Sequence, residues 1–510
     1  INSSRSETGR DGMTEDNTRM ADLLIRQRNA FLHDGPPDLA LRKARLARLR
    51  AAVLAHREAI KDAVSADFGN RSRHETDIME LSCVIQAIDY LSSHLRRFMK
   101  RERRHEHFFY RAARAYVEYQ PLGIVGVMAP WNYPVSLTLV PLATALAAGN
   151  RAMLKPSELT PRTSEALRHM LAGAFAEDEV AVVLGGPEVG ATFSALPFDH
   201  LLFTGSTQVG RKVMRAASDN LVPVTLELGG KSPAIVARGH VNDRTVQSLV
   251  YGKLSNAGQT CVAPDFAFVH KEDLEAFIAQ YTATVHRFYP DGPASRDYTT
   301  IVSDRHYDRL RGLVDDARRN GARVVEVGER PAHMPGRERT LVPTLVVNAG
   351  DETPLMQEEI FGPILPVRTY GTIDEAITYV NARPRPLALY YFGAEDRDCA
   401  RLLAHTTSGN VGINNTLIHV AQDDLPFGGV GPSGMGAYHG IEGFRAMSHA
   451  KGVFVQGRWN FPGLLHAPFG RLADMAISLT LGKAAGQPRS KPPRPRAGHD
   501  GSPVSPRSHF

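Results

Sequence analysis

Cysteine is scarce in this 510-residue chain: Cys83, Cys261 and Cys399 are too few and too scattered for a disulfide framework or a paired-cysteine metal site, so no metal is expected. Their scarcity fits a reducing, cytoplasmic setting. No stretch approaches the roughly 18 uninterrupted apolar residues of a membrane span, and the polar N-terminus lacks the apolar core of a secretory signal. A soluble protein without a stable membrane anchor is therefore expected. The net charge of +6 is not spread over a binding face, because Arg489, Lys491, Arg494, Arg496 and Arg507, opposed only by Asp500, contribute +4 of it from the last residues. A second basic run, 96–104, reads as the solvated end of a helix. It lacks the interleaved aromatics of a single-strand binder, so no nucleic-acid partner is expected. The three-glycine dinucleotide fingerprint is missing as well.

What remains is ordinary for a folded protein, with 43% hydrophobic and 22% charged residues over a length suited to two or three domains. Residues 1–20, polar and aperiodic, are expected to be disordered. The chain opens on Ile1, with Met13 and Met20 inside this stretch, and part of it reads as upstream sequence without function. From Pro488 onward six prolines mix with Ser, Arg and Gly, which predicts a second disordered stretch over 488–510. No internal repeat is visible. Leu39, Leu46, Leu49, Val53, Ile60 and Val64 recur at helical spacing with basic residues opposite, which predicts one amphipathic helix.

Short apolar runs follow at 124–127, 151–154, 180–184 and 201–203, each closed by a Gly, Pro or Ser turn and usually followed by a helical stretch. A second series, including 234–236, 265–269, 323–327 and 345–347, comes after Glu227. Alternating strands and helices predict an α/β protein with two successive doubly wound parallel sheets.

Three segments carry chemistry. In Leu201-Leu-Phe-Thr-Gly-Ser-Thr-Gln-Val-Gly210 a strand passes through a glycine turn into a helix capped by Ser206. The exposed amides of such a helix start suit a phosphate, although a plain tight turn would look the same. Leu226-Glu-Leu-Gly-Gly-Lys-Ser-Pro233 comes next, then Asn256-Ala-Gly-Gln-Thr-Cys-Val-Ala-Pro264. Cys83 and Cys399 sit in helical stretches among apolar neighbours and read as small hydrophobes. Cys261 lies in a polar, glycine-containing turn, where a thiolate can form and backbone amides can face an oxyanion.

These residues resemble the aldehyde dehydrogenase superfamily. The likeness rests on Phe203-Thr-Gly-Ser-Thr, Glu227-Leu-Gly-Gly-Lys and Gly258-Gln-Thr-Cys261 in that order. It extends to Pro130-Trp-Asn-Tyr-Pro134, Lys155-Pro-Ser-Glu158, Glu358-Glu-Ile-Phe-Gly-Pro363 and Pro426-Phe-Gly-Gly-Val-Gly431, spread over about residues 25–455. Gly434-Met-Gly-Ala-Tyr-His-Gly440 and Thr260-Cys-Val-Ala-Pro-Asp265 look most like the class 3 branch, and Val430-Gly-Pro-Ser-Gly434 is similar to its bacterial coniferyl aldehyde dehydrogenases.

The resemblance implies oxidation of an aldehyde to a carboxylic acid. Cys261 would attack the carbonyl, the side-chain amide of Asn132 and the Cys261 amide would hold the oxyanion, and Glu227 would activate the water that hydrolyses the thioester. Cys261 and Glu227 lie 34 positions apart and can meet only through folding. For the cofactor it implies Lys155 and Glu158 at the adenosine ribose and Gly205, Ser206, Thr207, Gln208, Val209 and Gly210 near the pyrophosphate. Trp131 would stand beside the cleft, with Glu359 and Phe361 at the nicotinamide end. A carboxylate at Glu158 would favour NAD over NADP, with NADP still admitted.

The implied layout is a cofactor-binding domain over 21–228, a catalytic domain over 229–424, a return to the cofactor domain over 425–455 and a helical segment over 456–487. Ala115-Tyr-Val-Glu-Tyr-Gln120 alternates as a strand and would form a small β oligomerisation arm, with its partner after Pro426, giving a homodimer. Three alternatives stay open: a medium- or long-chain aliphatic substrate, transfer of the acyl group to coenzyme A, and a non-catalytic binding protein on the same fold. The base offered by Glu227 argues for hydrolysis over transfer.

Overall fold

The computed structural model describes residues 4–106, 113–458 and 466–482. Its larger unit comprises the chain up to Arg101 and from Glu118 to Lys451. One sheet of this unit has six strands, in the order Gly434–Met435, Val224–Glu227, His200–Thr204, Ile124–Met128, Arg151–Lys155, Val180–Val182. All neighbours are parallel except Gly434–Met435, which returns late in the chain to pair antiparallel with Val224–Glu227. The other sheet orders Arg323–Glu326, Thr344–Val347, Ile364–Tyr370, Phe266–His270, Pro233–Val236, Ala388–Phe392 and Asn410–Ile413. Only its first pair is antiparallel. The central strands are buried along their whole length, as parallel strands covered on both faces must be, and this is why they read as continuous apolar runs. The expected α/β class with two parallel sheets is thus what the chain forms.

Two expectations are corrected. The single amphipathic helix is two, Leu39–Ala55 and Arg57–Phe68, broken at His56 (φ −103°, ψ 10°). The two helices bury Leu46, Leu49, Val53, Ile60 and Val64 of the expected stripe, whereas Leu39, the first helical residue, is only half-buried. The N-terminal stretch is not disordered where it is described: a helix spans Ser4–Asp34. Its anchoring stripe of Met20, Leu23, Leu24 and Gln27 begins at the last residue of the supposedly aperiodic stretch. Those apolar side chains join a cluster with Ile124, Met153 and Leu201, and the Gln27 amide donates to the carbonyls of Ala152 (2.9 Å) and Glu177 (3.0 Å). Residues 1–3 and the expected disordered tail 488–510 lie outside the described residues.

Helix Ser136–Ala148 is apolar nearly all round and is buried almost throughout, despite Pro141. Its first turn is held by Glu80, whose Oε2 accepts from the amides of Val135 (2.7 Å) and Ser136 (3.0 Å) while Oε1 pairs with Arg71 at 2.9 Å. That fully buried ion pair fixes the preceding loop, 129–135, from below.

The smaller unit holds residues 102–117 and the chain from Gly452 onward. Strand Glu102–Arg103 pairs antiparallel with Arg114–Pro121, which Ser448–Val455 joins to make three strands. Helix Arg471–Leu481 leaves Leu472, Met475, Ile477, Leu479 and Leu481 exposed. Among the described residues no helix is long and apolar enough to cross a membrane.

Candidate active site

Cys261 stands where loops from both sheets meet. Helix Asp243–Leu254 ends in the turn Ser255–Gly258, in which Asn256 and Ala257 both adopt φ 51° and Gly258 φ 74°. Left-handed backbone at two non-glycine residues is costly and persists only where surroundings enforce it. Gly258 could be nothing larger, since a Cβ there would lie 2.3 Å from the Gly362 carbonyl oxygen. The cysteine loop is thereby locked against the 358–363 motif, where Phe361 is itself left-handed (φ 54°). Tyr133 shares a hydrogen bond with Thr260 Oγ1 (2.8 Å), and the Tyr390 hydroxyl donates to the Val262 carbonyl (2.6 Å). Both residues beside Cys261 are pinned.

Two cavities share Cys261. One, of about 730 Å³, has Trp131, Asn132, Gly205, Ser206, Glu227, Cys261, Glu359 and Phe361 in its wall. The other, of about 980 Å³, is mainly apolar and runs between helix Ser136–Ala148, helix Ser82–Phe98 and the 417–439 region.

The elements explain how the first cavity gathers residues from distant motifs. Strand Ile124–Met128 delivers the 129–135 loop, strand His200–Thr204 delivers Gly205 and Ser206, and strand Val224–Glu227 ends on Glu227 itself. All three are at the carboxyl edge of the parallel sheet, where such folds build their sites. Ser206 caps helix Thr207–Ser218 by accepting from the Val209 amide at 3.4 Å. Asn132 is buried, and its side-chain amide donates to the Gln259 carbonyl (3.2 Å) two residues before the cysteine. Its own carbonyl accepts from Arg71 (3.1 Å) and from the Asn256 side chain (2.9 Å).

Six of the sequence candidates lie outside that wall. Lys155 and Glu158 form an ion pair of 3.2 Å at the end of strand Arg151–Lys155. Thr207, Gln208, Val209 and Gly210 form the first turn of helix Thr207–Ser218, with the Thr207 hydroxyl donating to the Pro432 carbonyl at 3.0 Å.

The electrostatics are dominated by burial. Glu227 is 2% exposed, neither carboxyl oxygen has a partner among the described residues, and desolvation holds its pKa well above the usual glutamate value. Glu359 is raised to about 8 by burial, with Asp265 adding repulsion. The Cys261 thiol is pushed up to about 12, first by burial and then by Glu359 and Glu227. A thiol so placed needs a proton acceptor beside it before it can act as a nucleophile.

Sequence reasoning missed several residues. Arg309 donates to the carbonyls of Glu359 (3.3 Å) and Ile360, and His306 packs edge-on against Trp131 with centroids 5.0 Å apart. Lys253 is fully buried, its ammonium unpartnered among the described residues and lowered to about 8 by desolvation. No motif signals these, because they work on backbone carbonyls, ring faces or buried charge. Cys83 is a correction: it lines the 980 Å³ cavity with Cys261 instead of being a plain core residue, whereas Cys399 is buried as expected.

The chain matches known proteins over most of its length. Residues 35–453 match the model of the "Aldehyde dehydrogenase family". A probable coniferyl aldehyde dehydrogenase of Caulobacter vibrioides is 50% identical over 86% of this chain and 91% of its own length. The coniferyl aldehyde dehydrogenase of a Pseudomonas species is 48% identical over 91% and 96%. Mouse aldehyde dehydrogenase family 3 member B2 is 36% identical over 89% and 94%. Among solved structures, substrate-bound AldH of Staphylococcus aureus superposes with a TM-score of 0.84 at 35% identity, covering 91% of this chain and 99% of its own. An aldehyde dehydrogenase of Mycobacterium tuberculosis complexed with NAD+ gives 0.77 at 27% identity, covering 86% and 90%.

Proposed function

Because the chain belongs to the aldehyde dehydrogenase family, we propose that it oxidises an aromatic aldehyde such as coniferaldehyde to its carboxylic acid, with NAD preferred over NADP. The observation that carries this reading is the meeting of a polar and an apolar cavity at one cysteine beside an unpartnered buried carboxylate. The apolar wall, with Leu137, Val140, Leu417 and Val420, also suits a medium- or long-chain aliphatic aldehyde, which is the second reading.

The residues of the polar cavity fit a nicotinamide dinucleotide. Glu359 Oε1 and Thr204 Oγ1 are buried without a partner among the described residues, and such groups suit the hydroxyls of a ribose. Glu359 and Phe361 would hold the nicotinamide end, the capped start of helix Thr207–Ser218 the pyrophosphate, and Lys155 with Glu158 the adenosine ribose. When bound, the dinucleotide supplies the hydride acceptor that turns the cysteine adduct into a thioester.

In this reading Glu227 takes the Cys261 proton, and the sulfur bonds to the aldehyde carbon. The oxyanion is met by the Asn132 side-chain amide and the Cys261 backbone N–H. After the thioester has formed and Glu227 has passed that first proton to solvent, Glu227 removes a proton from water, which attacks the acyl carbon; the C–S bond breaks to release the acid, and the Cys261 thiolate takes the proton back from Glu227. The catalytic residues are thus Cys261, Glu227 and Asn132. We further propose a cytoplasmic homodimer assembled through the strand Arg114–Pro121.

The test is NADH absorbance over a panel of aldehydes, with and without coenzyme A. Coniferaldehyde should give the highest kcat/KM and coenzyme A should change nothing. A best substrate that is aliphatic would replace the first reading by the second, and dependence on coenzyme A would overturn hydrolysis.

A further inference from the structure

The apolar cavity that ends at Cys261 contains one acid. Asp423 is in its wall, half-buried, and its carboxylate has neither a hydrogen bond nor an ion pair among the described residues. Of the three tyrosines of the same wall, Tyr133 bonds with Thr260 at 2.8 Å and Tyr251 with the Met79 sulfur at 3.2 Å. Partial burial without a compensating cation pushes Asp423 up to about 6, so near neutral pH it is chiefly a carboxylate in a poorly hydrated place.

Asp423 enters this wall from the 417–439 region, whereas Glu227 and Glu359 belong to the wall of the polar cavity, the other of the two that share Cys261. An aromatic wall accompanies it: His439 stacks on Phe427 with centroids 5.0 Å apart at 24°, and Tyr438 meets Phe427 edge-on at 6.0 Å. His439 is 6% exposed, its Nδ1 lacks a partner among the described residues, and burial keeps the ring neutral by lowering it to about 4. The cavity therefore offers an apolar space with an aromatic side and, in its wall, the Cys261 thiol and an acceptor without a partner among the described residues.

We propose that Asp423 is a specificity-determining residue that accepts a hydrogen bond from a phenolic hydroxyl on the aldehyde, selecting rigid aromatic aldehydes with a donor opposite the carbonyl. The inference rests on the aromatic-aldehyde reading and deepens it. A substrate with such a hydroxyl satisfies the carboxylate when it enters; one without it displaces water from the acid and leaves the group unpaired. Discrimination thus comes as much from rejection of plain aldehydes as from attraction of hydroxylated ones.

The experiment compares kcat/KM for coniferaldehyde, its phenolic methyl ether and cinnamaldehyde, in the wild type, Asp423→Asn and Asp423→Leu. The wild type should favour coniferaldehyde over the methyl ether by about tenfold, mostly through KM, since the contact is made in ground and transition state alike. Asp423→Leu should bring that ratio to about one, and Asp423→Asn, of the same size and with one acceptor oxygen left, should fall between. A ratio unchanged in both variants overturns the proposal, as does a wild type that oxidises all three aromatic aldehydes alike; the aromatic reading survives either result. A wild type that oxidises none of them but accepts aliphatic aldehydes overturns that reading, and this proposal with it.

Discussion

The two cavities that share Cys261 are built by different means. The 730 Å³ cavity is walled largely by short segments, three of which follow parallel strands, with His306 and Arg309 added from helix Asp304–Arg319, so residues far apart in the chain arrive chiefly as compact motifs. The 980 Å³ cavity is walled chiefly by side chains from helix faces, three each from Ser82–Phe98 and Ser136–Ala148, and by eight residues of the 417–439 region. Chemistry needs atoms held to fractions of an ångström, which strand-end loops with special backbone angles supply. Enclosing an apolar substrate needs only shape and volume, which many side-chain sets can provide.

The sharpest way to break this comparison is at the shared residue. Cys261→Ser should abolish NADH formation, a loss of about a thousandfold or more, because a serine hydroxyl is far less acidic than a thiol and stays a poor nucleophile even beside Glu227. Absorbance at substrate saturation checks it. Measurable turnover would mean that the two cavities do not meet at the reacting atom.

Glu227→Gln should come next, lowering steady-state turnover by about a hundredfold or more. Up to one NADH per site should appear in a burst, slower than in the wild type, followed by a stall with acyl mass on the Cys261 peptide. Raising the pH should speed that burst as the thiol, pushed up to about 12, ionises. Stability supplies an independent check. Because burial raises Glu227 well above its unfolded value, the folded protein holds the proton more tightly. Its contribution to stability is complete below the unfolded pKa and is lost as pH rises through the folded one. Tm of Glu227→Gln should therefore gain on the wild type as pH is raised from about 5 to about 8. A gap independent of pH would show that Glu227 is not buried as a carboxyl.

The same contrast decides what could be read from sequence. Gly205, Ser206 and the cysteine turn stood out as a glycine turn, a cap and a polar loop written in consecutive residues, but their expected roles, and that of Glu227, came from the likeness to aldehyde dehydrogenase motifs. The parallel sheets were legible because their strands are buried on both faces. Met20, Leu23 and Leu24 were not, since a helix whose apolar stripe starts near its middle looks polar at its beginning. Asp423 and Cys83, 340 positions apart, become neighbours only through tertiary packing, which no local pattern reports.

On the apolar side a single substitution should matter less. Leu137→Ala widens the slot without touching reacting atoms, so KM for an aromatic aldehyde should rise by about tenfold while kcat changes little. A kcat that fell with KM unchanged would mean that this wall also sets the angle of attack.

The smallest effect should come from the rim of the polar side. Glu158 is the more exposed partner of its 3.2 Å ion pair with Lys155, and solvent weakens what a carboxylate can do to a nearby phosphate. Glu158→Gln removes the charge and retains a hydrogen-bonding group, so it should keep most contacts to a ribose while ending repulsion of a 2′-phosphate. It also frees Lys155 to face that phosphate. The ratio of kcat/KM for NADP to that for NAD should rise by about three- to tenfold, chiefly through KM for NADP. Measured at two salt concentrations, the gain should shrink at the higher one, because a charge effect at an exposed site is screened. A ratio that moves with neither the substitution nor salt would remove Glu158 from the ribose and leave NAD preference to be explained elsewhere in the groove.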